Sequence, residues 1–181
     1  MAKFYTELND KLRAFIAGQR VFFVATAPTQ GRINLSPKGM DTLRCLDDGT
    51  VAYLDVTGSG NETAAHLLED GRMTMMFCSF SGKPLILRLH GRGRVVHQRD
   101  GEWSALYALF EETPGVRQIM VMDIDSVQTS CGQGVPVYEF KHERDMLPRE
   151  AEARGPDGIE AYQRKHNLVS IDGLPTNLLP D

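Results

Sequence analysis

The chain has 181 residues, with 20 Lys and Arg against 24 Asp and Glu and a formal charge of −4. That length suits one domain, able to bury roughly 70% of the surface its unfolded chain exposes. A slight acidity with both signs interspersed excludes a general nucleic-acid or anionic-membrane binder, so the expected partners are small molecules or protein.

Cys45, Cys78 and Cys131 form an odd, widely spaced set without a C-x-x-C pair. Neither a disulfide framework nor a zinc site is expected, and the compartment reads as reducing. The opening MAKFYTELNDKLRAFIAGQ is amphipathic and contains acids, and VFFVATA is far too short to span a bilayer. The expectation is a cytoplasmic protein.

Leu8, Leu12, Phe15 and Ile16 recur at helical spacing, with Thr6 able to cap the start and Gly18 to end the turn. Residues 21–26 read as a buried strand, 28–31 as its turn, and 32–36 as a returning strand with Ile33 and Leu35 on one face, Leu35 toward the core. Residues 43–46 and 50–56 flank Asp47-Asp48-Gly49, where Asp-Gly is expected to supply the positive backbone angles of a tight hairpin.

The segment from Val51 to Gly71 carries the clearest signal: an apolar strand runs through Thr57-Gly-Ser-Gly into a helix over 61–70, with Gly71 at its stop. Two readings stand. Unpaired N–H groups at a helix start, with hydroxyls and glycines nearby, form an anion cradle. The plainer alternative is a strand-loop-helix joint with Ser59 as N-cap and Glu62 closing a capping box.

Residues 73–80 form an apolar strand that ends at Ser81-Gly82-Lys83-Pro84. In 85–96 the alternation places Arg88, His90, Arg92 and Arg94 on one face, read as a solvated surface or a source of positive potential. Trp103, Leu106, Tyr107 and Phe110 form a helical stripe, and 117–130 returns as a strand rich in Val, Ile and Met. The Met73–Met76 and Ile119–Met122 stretches read as core or as a dimer seam. Cys131 is expected to be a buried free thiol.

Residues 141–167 are dense in charge and suggest surface helices, one starting at Pro148, while 170–181 is expected to run extended over a neighbour. Residues 1–140 thus form the main unit and 141–181 a charged helical extension of the same domain. Short strands, turns and few helices point to a mainly β antiparallel barrel rather than alternating βαβ units.

The five histidines show no H-E-x-x-H or other paired-ligand spacing, and no P-loop, dinucleotide fingerprint or nucleophile elbow occurs. No metal is expected and no catalytic acid or base is assigned. An anion cradle on a barrel leaves a bound cofactor as the source of reactivity.

The order helix, two hairpins, strand into Thr57-x-Ser59-x-Asn61-Glu62-Thr63, then the apolar strands, resembles the pyridoxamine 5′-phosphate oxidase-like, FMN-binding split-barrel family, over about residues 15–130. That resemblance implies a six-stranded antiparallel split β-barrel with flanking helices and a homodimer sharing flavin sites at its interface. By register, Val56 and Thr57 border the ring or ribityl chain, while Asn61, Glu62 and Thr63 stand at the phosphate-gripping helix start. Glu62 and Thr63 replace the family's Arg and Lys.

Asn34, Ser36, Pro37 and Lys38 fall on the strand end that contacts flavin, with Lys38 as substitute cation, and Arg88 falls on the next flavin-facing strand. The chain lacks the Arg-Leu-Ala-Pro-type ending of vitamin B6 oxidases. The implied function is an FMN-dependent oxidoreductase of unassigned substrate. The alternatives are a relative using F420 or haem, and a non-enzymatic flavin carrier or sensor.

Overall fold

The computed structural model describes residues 2–180. Eight antiparallel strands form one curled sheet in the order β3-β2-β6-β7-β8-β5-β4, with β1 pairing along the far half of β8. These are β1 (Lys3–Tyr5), β2 (Phe22–Thr26), β3 (Asn34–Lys38), β4 (Leu43–Cys45), β5 (Thr50–Val56), β6 (Arg72–Cys78), β7 (Ile86–His97) and β8 (Val116–Ser130). Helices α1 (Asp10–Ala17), α2 (Glu62–Glu69), α3 (Trp103–Tyr107) and α4 (Met146–His166) flank the sheet. The mainly β split barrel is as expected. Among the described residues it counts eight strands rather than the six of the family barrel; the expected hairpin strand at 43–46 is present as Leu43–Cys45, and Lys3–Tyr5 is an unexpected addition along β8.

The strands read as apolar runs because the central ones are covered on both sides. On β5, Val51 and Tyr53 enter the barrel core with Phe22, Met75, Leu87 and Met120. Ala52 and Leu54 face outward beneath Trp103, Leu106, Tyr107 and Phe110. Met73, Met75, Met120 and Met122 are all buried in the barrel core.

Local chemistry explains several departures from the sequence reading. The cap of α1 is Asn9, not Thr6, and its Oδ1 accepts from the Leu12 N–H at 3.1 Å. Gly49 has no positive φ; instead Asp47 Oδ1 accepts from the Gly49 N–H at 2.8 Å and closes the turn. Leu35 points away from the core and is 63% exposed, with Ile33 at 77%. With Asn34, Ser36 and Lys38 turned inward, a period of two sends Leu35 outward, on an edge strand that no element covers.

The alternation along β7 keeps Arg88, His90, Arg92 and Arg94 on one face, with Arg92 and Arg94 exposed and Arg88 half-buried; the bulge opposite His90 and Gly91 lies on β8, where Asp125 is the extra residue. Cys131 is exposed rather than buried.

Helix α4 starts at Met146, ahead of Pro148, and is broken at Gly155, whose φ of 67° ends one helix and lets Pro156 open the next. The tail folds back on its own chain: Val169 bridges Pro175, and Ser170, Thr176 and Leu178 are buried. No helix among the described residues is long and apolar enough to cross a membrane.

Candidate functional site

The site grows from the end of β5. Asp55 continues the inward parity of Val51 and Tyr53 and is 1% exposed. A bulge lies opposite: Asp55 pairs with Gln118 but Val56 pairs with Val116, so Arg117 is the extra residue on β8. Bulges re-aim side chains. Here Arg117 Nε donates to Asp55 Oδ2 at 2.7 Å while Gln118 Nε2 donates to the same oxygen at 2.9 Å. Strict alternation would have sent these two neighbours to opposite faces.

Lys38 reaches in from β3, its Nζ 2.9 Å from Asp55 Oδ1. Burial alone would raise the Asp55 carboxyl, but Arg117 and Lys38 outweigh it and hold the group well below the usual carboxylate range. Asp55 is therefore a fixed anion with two cations. Arg117 is nearly inaccessible at 4% side-chain exposure, whereas the Lys38 side chain is 22% exposed.

The network continues into the tail. Arg117 Nη1 donates to Asn167 Oδ1 at 2.9 Å, and Gln118 Nε2 to Asn61 Oδ1 at 2.6 Å. Asn167 Nδ2 donates to the Gly58 carbonyl, and the Thr176 hydroxyl to the Asn167 carbonyl. Thr57 Oγ1 accepts from Gln163 Nε2 at 2.8 Å. Asn61 is the N-cap of α2 but makes no side-chain capping bond, and Glu62 closes no capping box. The Glu62 carboxylate instead accepts from the Ile171 N–H of the tail at 3.0 Å.

Above this frame lies a cavity of about 380 Å³. Asn34, Ser36, Pro37 and Lys38 line it from β3, and Val56, Glu62 and Thr63 from the junction of β5 with α2. Asp55, Arg117 and the Gly58-Ser59-Gly60 backbone complete its polar wall, with Leu54, Met40 and Leu147 as apolar contacts. Ser36 Oγ donates to Asn34 Oδ1 at 3.0 Å, and Asn34 Nδ2 to Thr63 Oγ1 at 3.2 Å, so these three side chains form one polar edge.

Three expected positions fall elsewhere. Thr57 and Asn61 are buried behind the wall in the network just described. Arg88, on β7, meets the Ser130 hydroxyl at 3.4 Å and does not line the cavity. Arg117 and Asp55 were missing from the expected set. An arginine interrupting the Val-Arg-Gln-Ile-Met-Val-Met strand was the available signal for the first.

The cavity presents neutral donors and acceptors along one edge, two cations, and two carboxylates, Asp55 and Glu62. Among the described residues, the N–H groups of Gly58, Ser59 and Gly60 donate to no protein acceptor. No cluster of three or more metal-ligating side chains occurs there. The donor set suits a neutral polar ligand with an anionic end, provided that Lys38 turns from Asp55 to the anion while Arg117 keeps Asp55 neutralised.

Comparison with known proteins gives this site a lineage. Residues 8–131 match the family description pyridoxamine 5′-phosphate oxidase. The chain belongs to that family. Among relatives, ustO of Aspergillus flavus, a pyridoxamine 5′-phosphate oxidase family protein, is 39% identical over 193 residues, covering 97% of this chain and 78% of that protein. HupZ from Group A Streptococcus shares the fold, with a TM-score of 0.55 at 18% identity over 66% of this chain and 91% of that one. A FAD binding protein from Mycobacterium smegmatis has a TM-score of 0.50 at 12% identity, covering 70% and 97% of the two chains. The family match spans β2 to β8 and so includes every strand that lines the cavity.

Proposed function

We propose that the cavity at the end of β5 binds FMN and that the chain is a flavin-dependent oxidoreductase of the pyridoxamine 5′-phosphate oxidase class. The carrying observation is the cavity itself. It gathers Asn34, Ser36, Lys38, Val56 and Thr63 from two separate sequence segments around one space, with free backbone N–H groups at its rim. In this reading Asn34, Ser36 and Thr63 bind the ring edge or ribityl hydroxyls. Gly58–Gly60 N–H groups and the Lys38 ammonium hold the phosphate.

Asp55 and Arg117 have a positioning role: Arg117 neutralises Asp55 from below, so that Lys38 is released toward the anion without stranding a buried charge. Glu62, held by the Ile171 N–H, repels the phosphate and fixes it toward the Lys38 side. When bound, FMN would supply hydride or single-electron transfer, and the protein would supply placement and electrostatics.

The exposed Ile33 and Leu35 on the open edge strand support a homodimer, and Arg88, outside this cavity, enters the reading only through such an assembly. The three free cysteines fit a reducing, cytoplasmic setting. A carrier or sensor is the second reading. It is favoured by the two carboxylates in the cavity wall, Asp55 and Glu62, both being already engaged as hydrogen-bond acceptors, which leaves no free acid or base there.

The test is an absorption spectrum of the purified protein, mass identification of any released chromophore, and FMN titration of wild type and Lys38→Ala. The proposal expects a flavin spectrum and a roughly tenfold or greater loss of affinity in the variant. Absence of saturable FMN binding sinks it, and a haem or F420 chromophore redirects it. Turnover with a reduced nicotinamide and an electron acceptor separates enzyme from carrier.

A further inference from the structure

A second cavity, of about 600 Å³, adjoins the first across Asn34, Ser59, Gly60 and Glu62. Its outer walls are aliphatic: Ile33 and Leu35 from the edge strand face Val169 and Ile171 from the tail, and all four side chains are exposed. Its inner wall includes His66 of α2, which is 1% exposed. His66 Nδ1 lies 3.0 Å from Thr26 Oγ1, and Nε2, on the other side of the ring, is buried without a partner.

A buried polar nitrogen without a partner is costly, on the order of 1–3 kcal/mol, and such groups mark an absent ligand or a functional role. Asn34 Nδ2 donates toward Thr26 Oγ1 at 3.5 Å and leaves the Thr26 hydroxyl hydrogen available to His66 Nδ1; with Nδ1 accepting it, Nε2 carries the proton. The unpartnered group is a donor in search of an acceptor.

The surrounding charges select the acceptor. Glu62 lines the cavity without an ion pair among the described residues; Arg32 lines it already paired with Asp172, and His166 lines it from α4. Asp172 is held below the usual carboxylate range chiefly by the Arg32 N–H and guanidinium. An anionic ligand would meet the uncompensated Glu62, whereas an uncharged carbonyl oxygen accepts from Nε2–H without that repulsion.

We infer that this cavity is a substrate subsite for an uncharged, apolar molecule bearing a ketone or aldehyde carbonyl, with His66 Nε2–H donating to the carbonyl oxygen and the Ile33, Leu35, Val169 and Ile171 walls covering its body. That the carbonyl is the group to be reduced rests on the flavin reading; capture of the molecule does not, so binding is measured with and without added FMN.

The probes are 1-indanone, its carbonyl-free counterpart indane, and 1-indanecarboxylate. Binding is followed by ligand-observed NMR and by the 15N shift of His66. The expected result is saturable 1-indanone binding that moves the His66 Nε2 signal, weakened about tenfold in His66→Phe, which keeps the ring shape and removes the N–H. Ile171→Asp, at an exposed wall position, is expected to weaken binding comparably by placing a charge against the apolar body. Indane and the carboxylate are expected to bind at least tenfold more weakly than the ketone.

If His66→Phe fails to fold, Ile171→Asp and the wild-type His66 shift decide. Tighter binding of the carboxylate, an unmoved His66 signal, or equal affinity in the variants overturns the inference, whatever the outcome with FMN.

Discussion

Replacing Arg117 by Met probes the frame beneath the cavity most directly. Met approximates the length of the aliphatic stem, so the perturbation is loss of the guanidinium from Asp55 at 2.7 Å and from Asn167 Oδ1 at 2.9 Å. Breaking a buried ion pair by removing one partner costs about 3–5 kcal/mol, and an orphaned amide oxygen adds about 1–3 kcal/mol. Lys38 and Gln118 still face Asp55 and offset part of this. The expected loss is thus about 4 kcal/mol, or roughly 8–16 °C in Tm for a domain of this size.

Urea denaturation gives the free energy and differential scanning calorimetry the Tm. The double variant Asp55→Leu/Arg117→Met is expected to lose less than the sum of its single variants, because the buried anion leaves with its counter-ion. A loss below about 1 kcal/mol for Arg117→Met, or strict additivity in the cycle, would refute the assigned role of this ion pair.

Acid unfolding should report the same pair. The folded-state Asp55 carboxyl titrates below its unfolded value of about 3.9, so its stabilisation is complete above that pH and is lost as the pH falls through the folded value. In Arg117→Met the acid limb should move to higher pH, because burial is then opposed by one cation, Lys38, and the Gln118 amide; circular dichroism against pH checks the direction. Gly91→Ala should destabilise by more than about 2 kcal/mol in urea, since its Cβ would lie 1.9 Å from the Asp123 carbonyl oxygen beside the β8 bulge. Leu35→Lys should leave monomer stability within about 0.5 kcal/mol, because the side chain is exposed, while shifting any dimer toward monomer in sedimentation velocity.

The order of strands was legible because Phe22–Thr26, Thr50–Val56, Arg72–Cys78 and Val116–Ser130 carry apolar runs bounded by turn residues. The β3 positions of the cavity were legible for a related reason: once Asn34 and Lys38 are assigned to one strand, a period of two places Asn34, Ser36 and Lys38 on a single face. What escaped were features that depend on a local break in that period.

The bulge beside Asp55 turns Arg117 and Gln118 to the same acceptor, and no spacing rule announces where a sheet inserts an extra residue. Asn61 and Thr57 were expected as ligand groups by register with the family's motif. Their amide and hydroxyl are taken by Gln118 and Gln163, the latter 106 residues away in sequence, a distance at which single-sequence patterns carry no information. Leu35 erred through the assumption that an aliphatic side chain must find cover, when an open edge offers none.

Asn167 ties the arginine of β8, the Gly58 carbonyl and the Asn61 side chain together from near the end of the chain. Asn167 follows Arg117 by 50 residues, which take roughly 2.5–10 s to emerge at ribosomal rates of about 5–20 residues per second. Throughout that interval the Arg117 guanidinium and the Gly58 carbonyl lack their Asn167 partners, so the tail completes the wiring of the site last.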